Sequence, residues 1–232
     1  MSDDDFVLEV DGAAPLATAP VKEVGALCDR VEDAGGTGVV IVHVSGAPGA
    51  GRVAGLGVAQ VSKWERALRR LERLPAPVVA VARGDVGGIA LDALLTADFR
   101  VAAPGTRLLV PVDGDATWPG MTLFRLARRD LGAVRRAALL GVPIETADAR
   151  ALGLLDEIAE NTVEAVAALA SAASGLAGTE LAIRRRLLAD AASMTFDDAL
   201  GQHLAACERT LRRTTEREAA GIGRAAGERG AS

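Results

Sequence analysis

The sequence predicts an α/β fold with a helical C-terminal region, and three observations carry that expectation. Residues 38–44 and 77–81 are short runs, apolar on both faces, as strands inside a parallel sheet are. Helical patterns lie between and beside them, over about 20–34 and 58–73. From about residue 122 onward, the apolar spacing is helical almost throughout. Short buried strands alternating with helices make an α/β core, and the helical remainder is free for packing or assembly.

The first element is a strand over 6–10, where apolar and polar residues alternate up to Asp11-Gly12. The helix over 20–34 has Pro20 near its start, an apolar face of Val21, Val24, Leu27, Cys28 and Val31, and Gly35-Gly36 at its stop. After the strand over 38–44, interrupted only by His43, a Gly-rich loop runs from Ser45 to about Gly57. The next helix buries Trp64, Leu68 and Leu71, carries Arg66, Arg69, Arg70 and Arg73 as a solvated stripe, and ends before Pro75 and Pro77. The strand over 77–81 then meets a glycine turn at Gly84, Gly87 and Gly88, followed by a short apolar helix over 89–96 and strands over 99–102 and 108–112. Helices are expected over 122–130, 132–140, 145–151, 162–174, 178–192 and 195–220. This organisation divides into a core over 1–175, a helical region for packing and oligomerisation over 176–220, and a disordered tail over 221–232.

Composition excludes several classes. The net charge is −5 and aromatic residues make up 3%, whereas nucleic-acid binding calls for a basic surplus and stacking rings. Lys22 and Lys63 are the only lysines, within an Ala/Gly/Arg bias of the kind that GC-rich genomes impose. Cys28 and Cys207 are far apart and outside any CxxC, so both read as free buried thiols in a reducing compartment. His43 and His203 are equally distant, so no metal site is expected. His43 reads as a structural histidine and His203 as a surface one. The acidic start (Asp3, Asp4, Asp5) is unlike a secretory signal, and no apolar run approaches the roughly 18 residues of a membrane span. A cytoplasmic protein is expected, with no membrane or nucleic-acid partner.

The chemistry concentrates in residues 77–98, PVVAVARGDVGGIALDALLTAD: a buried strand, a glycine turn and the opening of a helix. Such a junction aims backbone N–H groups at an anion or a developing oxyanion. It lacks the GKS/GKT tail of a Walker loop and is not GxGxxG.

This stretch resembles the crotonase (enoyl-CoA hydratase/isomerase) family, where a PVIAAVNG-type strand runs into a GGG turn and a helix bearing a catalytic carboxylate. The resemblance implies a crotonase-like ββα superhelical (spiral) core that handles acyl-coenzyme A thioesters, with coenzyme A part of the substrate and no other cofactor. It puts Asp92 at the first catalytic glutamate, Ile89 at the second oxyanion-hole N–H, and Gly88 just before it. The first oxyanion donor is bracketed within 53–56, with Leu56 the candidate. Arg107-Leu-Leu-Val-Pro-Val stands where the family has a strand ending in Pro-Glu, and Trp118, Pro119 and Gly120 match its Pro-Gly turn and become candidates for the acyl pocket. The chain departs from the family at its second glutamate, which is Val112 here; Asp113 and Asp115 on the following loop are the nearby carboxylates. The family assembles as trimers or pairs of trimers.

Three further segments, VSKWERALRRLERLPAPVVAVA, VPV…ATWPGM and GTELAIRRRLL, resemble a narrower group, the small accessory dehydratases of 3,5-dihydroxyphenylacetyl-CoA assembly, which serves dihydroxyphenylglycine and glycopeptide-type antibiotic formation. That resemblance implies a partner, a type III polyketide synthase condensing malonyl-CoA units, and a polyketide-derived thioester as substrate. The residues themselves admit three readings: a dehydratase or tautomerase, a degenerate CoA-thioester-binding partner that enhances the synthase without chemistry, or a single-carboxylate isomerase or thioesterase.

Overall fold

The structure is a computed structural model that describes residues 6–49, 56–110, 112–113, 116–118, 120–127, 131–173, 179–191, 194–209 and 211–212. The chain divides into two compact units, Met1–Leu181 and Ala182–Ser232.

The first unit is built on a parallel sheet in the order β1 (Phe6–Asp11), β2 (Val40–Gly46), β3 (Val78–Gly87), β4 (Phe99–Ala102) and β9 (Glu157–Ile158). Strands β2 and β3 alternate between two apolar layers, as strands covered on both faces must. Val40, Val42, Val44, Val78, Ala80 and Ala82 join the larger core with helices α1 (Thr18–Asp33), α2 (Val58–Leu71) and α3 (Gly88–Thr96). Val39, Ile41, Val79 and Val81 face helix α7 (Thr162–Ala173) on the other side. The sheet is therefore covered by helices on both faces.

Strand β3 does more than the expected five-residue strand. It runs for ten residues, and its two halves have different neighbours. Val79–Ala82 pair with β4, and Asp85–Gly87 pair in parallel with β5 (Arg107–Leu109). In turn, β5 pairs antiparallel with β8 (Ile144–Glu145). The expected glycine turn is thus absent: Gly84 and Gly87 lie within the strand, which enters α3 directly. The pattern concealed this because Arg83-Gly84-Asp85 interrupts the apolar run, while the strand is held by the β5 ladder and by an Arg107–Asp85 ion pair at 2.7 Å.

The strand expected over 108–112 is likewise divided, into β5 and β6 (Val112–Asp113), and β6 forms a hairpin with β7 (Ala116–Thr117). Strands β7, β8 and β9 are two residues each, too short to leave a period in the sequence. Helices α4 (Thr122–Ala127), α5 (Leu131–Leu140) and α6 (Thr146–Ala151) follow the expected order. The arginine stripe of α2 is more engaged than a solvated face. Arg70 bonds Asp29 and Glu32 of α1, Arg69 bonds Glu72, and Arg73 is left exposed.

The second unit holds most of α8 (Thr179–Ala191) and a helix over 196–209, and the tail over 221–232 lies outside the described residues. His203 is exposed there. Cys28 is buried, and burial pushes its thiol up to about 11. Cys207, expected to be buried, is exposed, because it lies on an outward face of the helix over 196–209. Among the described residues, no helix is long and apolar enough to cross a membrane.

Candidate active site

The C-terminal ends of β1, β2 and β3 converge on the start of α3. Closeness of backbone is what makes glycine necessary there: a Cβ on Gly12 would stand 2.2 Å from the Gly87 carbonyl oxygen and 2.3 Å from that of Gly46. Gly88 has φ +56, a left-handed conformation open to glycine, and begins α3 without any capping side chain. The first-turn N–H groups of α3, that of Ile89 included, therefore stand where strand ends meet, the usual place for a ligand in a parallel α/β sheet.

A cavity of about 390 Å³ adjoins this point. Its wall is largely apolar (Leu8, Val10, Ala14, Pro15, Trp64 and Ile89 among others), and its charged lining is acidic, with Glu9, Asp11 and Glu23. Apolar walls with few polar groups suit an acyl chain. Leu56 packs, partly buried, against the same core; residues 53–55 of the bracketed oxyanion segment lie outside the described residues.

Asp92 sits one turn into α3 and is fully buried. A carboxyl in that position needs partners, because an unpaired buried polar group costs several kcal/mol, typically about 2–7. It has three. The indole Nε1–H of Trp118 donates to Oδ2 at 2.9 Å, that of Trp64 donates to the same oxygen at 3.2 Å, and the Thr122 hydroxyl donates to Oδ1. Burial pushes the carboxyl above its ordinary range, the bonds from Thr122 and Trp118 draw it back in part, and Glu65 and Arg125 act in opposite senses.

A second layer fixes the donors. Arg125 of α4 bonds Glu65 of α2 at 2.9 Å and Glu72, the residue that caps the end of α2, at 3.3 Å. Burial works against the Arg125 charge, and the bond with Glu65 together with the attraction of Glu65, Glu72 and Asp92 more than offsets it. Glu65 also accepts the backbone N–H of Met121 at 2.8 Å, so α2 holds the segment that presents Trp118 and Thr122.

The expected site residues are distributed unevenly over this geometry. Gly88 and Ile89, the candidate oxyanion donors, form the start of α3, and Asp92 is the buried acid of the same helix. Trp118 and Gly120, expected to line the acyl pocket, stand against Asp92: a Cβ on Gly120 would be 2.9 Å from Oδ2. Asp113 belongs to strand β6 rather than a loop. Asp115 and Pro119 lie outside the described residues. By strand alternation His43 shares the face of Ile41, opposite α3, and is half-buried.

Sequence reasoning missed Trp64 and Thr122 as partners of Asp92, and Gly12 as the close-packed strand end. Trp64 did carry a signal: an indole on the buried face of a helix needs an acceptor for its N–H. The aspartate that closes the stretch, Asp98, accepts the Val78 N–H at 2.9 Å and anchors the start of β3.

No family model matches the chain. An enoyl-CoA hydratase from Amycolatopsis orientalis is 53% identical over 210 residues, which cover 90% of this chain and 97% of that protein. Solved structures share the fold. An enoyl-CoA hydratase from a Polaromonas species has a TM-score of 0.75 or better, at 0.80, with 20% identity over 92% of this chain and 91% of its own. An enoyl-CoA hydratase/isomerase family protein from Silicibacter pomeroyi gives 0.77 and 19%, over 91% and 96%. With half of all positions identical along nearly the full length of both chains, and a strand running straight into an acid-bearing helix, the chain belongs to the crotonase (enoyl-CoA hydratase/isomerase) family.

Proposed function

We propose that the chain is a crotonase-fold dehydratase acting on a CoA thioester, and that it assists a type III polyketide synthase in forming 3,5-dihydroxyphenylacetyl-CoA from malonyl-CoA units. The observation that carries the chemical part is Asp92, a buried carboxyl of raised proton affinity at the family's first acid position, three residues from the Ile89 N–H. In this reading, the thioester oxygen is held by Ile89 and a donor from the 53–56 segment, which stabilises the enolate as the α-proton leaves. Asp92 takes that proton and returns it to the departing β-hydroxyl. The C–H and C–O bonds break, a C=C bond forms, water leaves, and the carboxyl regains its starting state. The pathway and the synthase rest on the likeness of the three segments containing Trp64, Trp118 and Thr179–Leu188. Assembly into trimers or pairs of trimers is part of the same proposal.

One observation favours a second reading, that of a CoA-thioester-binding partner without chemistry. Asp92 is enclosed by its own donors, and the wall it shares with the cavity is made by Trp64 and Ile89. The two readings separate in product analysis with malonyl-CoA and the synthase, comparing wild type with Asp92→Asn. The dehydratase reading expects the dihydroxyphenylacetyl product to rise with wild type and fall back to the synthase-alone level with the variant. Equal enhancement by both proteins would make Asp92 a relic.

A further inference from the structure

The three donors around Asp92 are not equivalent. An indole N–H can only donate, whereas a threonine hydroxyl donates or accepts. Both indoles are on Oδ2, and among the described residues the hydroxyl alone is on Oδ1. Oδ2 is thereby an acceptor whether Asp92 is charged or neutral, since a proton there would confront two N–H groups. Oδ1 can hold a proton, because the Thr122 hydroxyl can turn from donor to acceptor, although its bond as donor favours the charged carboxylate.

We infer that Trp64, Trp118 and Thr122 are positioning residues for Asp92: the indoles confine its exchangeable proton to Oδ1, the oxygen that faces the Thr122 hydroxyl. The inference deepens the dehydratase reading and rests on it for its catalytic meaning, but the placement of the proton is testable apart from activity.

The means of testing lies in the composition. The chain has two tryptophans and no tyrosine, so the whole of its indole emission comes from the two groups bonded to Asp92. Other charges near the indoles are Glu65 of α2 and Arg125 of α4, which face Asp92, Glu72, which shares Arg125, and the acidic lining of the cavity beside Trp64. Asp92→Asn separates Asp92 from all of these, because the amide keeps an acceptor for the indoles and a donor for Thr122.

Emission of the purified full-length protein is followed against pH in wild type and variants. Wild type should show a transition that Asp92→Asn abolishes. Thr122→Val removes the bond that favours the charged form, so the transition should move up by about one pH unit, with Thr122→Ser restoring the wild-type midpoint. Trp118→Phe, with Trp64 still reporting, should also move it upward, which covers the case in which Thr122→Val does not fold. In the synthase assay, Thr122→Val should lower product formation at least tenfold, with Thr122→Ser recovering it. A transition that persists in Asp92→Asn, or a midpoint unmoved by both Thr122→Val and Trp118→Phe, would overturn the inference. Normal enhancement by Asp92→Asn together with the expected emission shifts would refute the dehydratase reading and leave the proton placement standing.

Discussion

Helix α2 is tied to its neighbours in two ways. On its inner side Trp64 reaches Asp92 of α3, which has no exposure at all. On its outer side Arg70 reaches Asp29 and Glu32 of α1, at 2.7 and 2.6 Å, with the arginine side chain 39% exposed. The outer bonds are shorter and fully charged, yet the inner ones carry more energy. Water competes for exposed ions and screens them, so such pairs are worth about 0–1 kcal/mol. Around Asp92 no water competes, and any partner removed leaves a buried polar group unsatisfied. Bond length and formal charge are therefore poor guides to which contact matters.

The largest effect should come from breaking the inner set outright. Asp92→Leu leaves two buried indole N–H groups without an acceptor, at about 1–3 kcal/mol each. Denaturant unfolding should show a loss of about 2–6 kcal/mol, whereas Asp92→Asn stays close to wild type at acidic pH. A loss below 1 kcal/mol for Asp92→Leu would mean that the segment from Trp118 to Thr122 is held by other contacts.

A smaller effect is the pH dependence of that same group. In the unfolded chain the Asp92 carboxyl titrates at its ordinary value of 3.8, and in the folded chain it titrates higher. The fold therefore favours the neutral acid. Its stabilisation is fully present below the unfolded value and declines as pH rises through the folded one. The difference in unfolding free energy between wild type and Asp92→Asn should accordingly shift against wild type with rising pH over that window. A difference that stays flat would show that Asp92 titrates as it does in the unfolded chain.

The smallest effect belongs to the outer pair. Arg70→Ala should cost no more than about 1 kcal/mol, part of it from lost packing of the arginine stem, and the electrostatic part should diminish in high salt. A loss matching that of Asp92→Leu would reverse the ranking of the two sides of α2.

The α/β class, most helices and the buried strands were legible because they rest on periodicity: a strand covered on both faces is apolar throughout, and a helix shows its covered side every three or four residues. The position of Asp92 on an apolar helix just after a strand was legible in the same way, as was the acid-bearing stretch that resembles crotonases. Three things were decided only in three dimensions. The strand continued through Arg83-Gly84-Asp85 because β5, twenty residues later, supplies its ladder. Trp118 and Gly120 were brought against Asp92 because α2 fixes that segment through Glu65. Trp64 and Thr122 became partners of the same carboxyl across separations of 28 and 30 residues. Periodicity reports which face of an element is covered, because burial acts on each residue by itself. Which donor meets which acceptor depends on how several elements converge, and no local pattern records that.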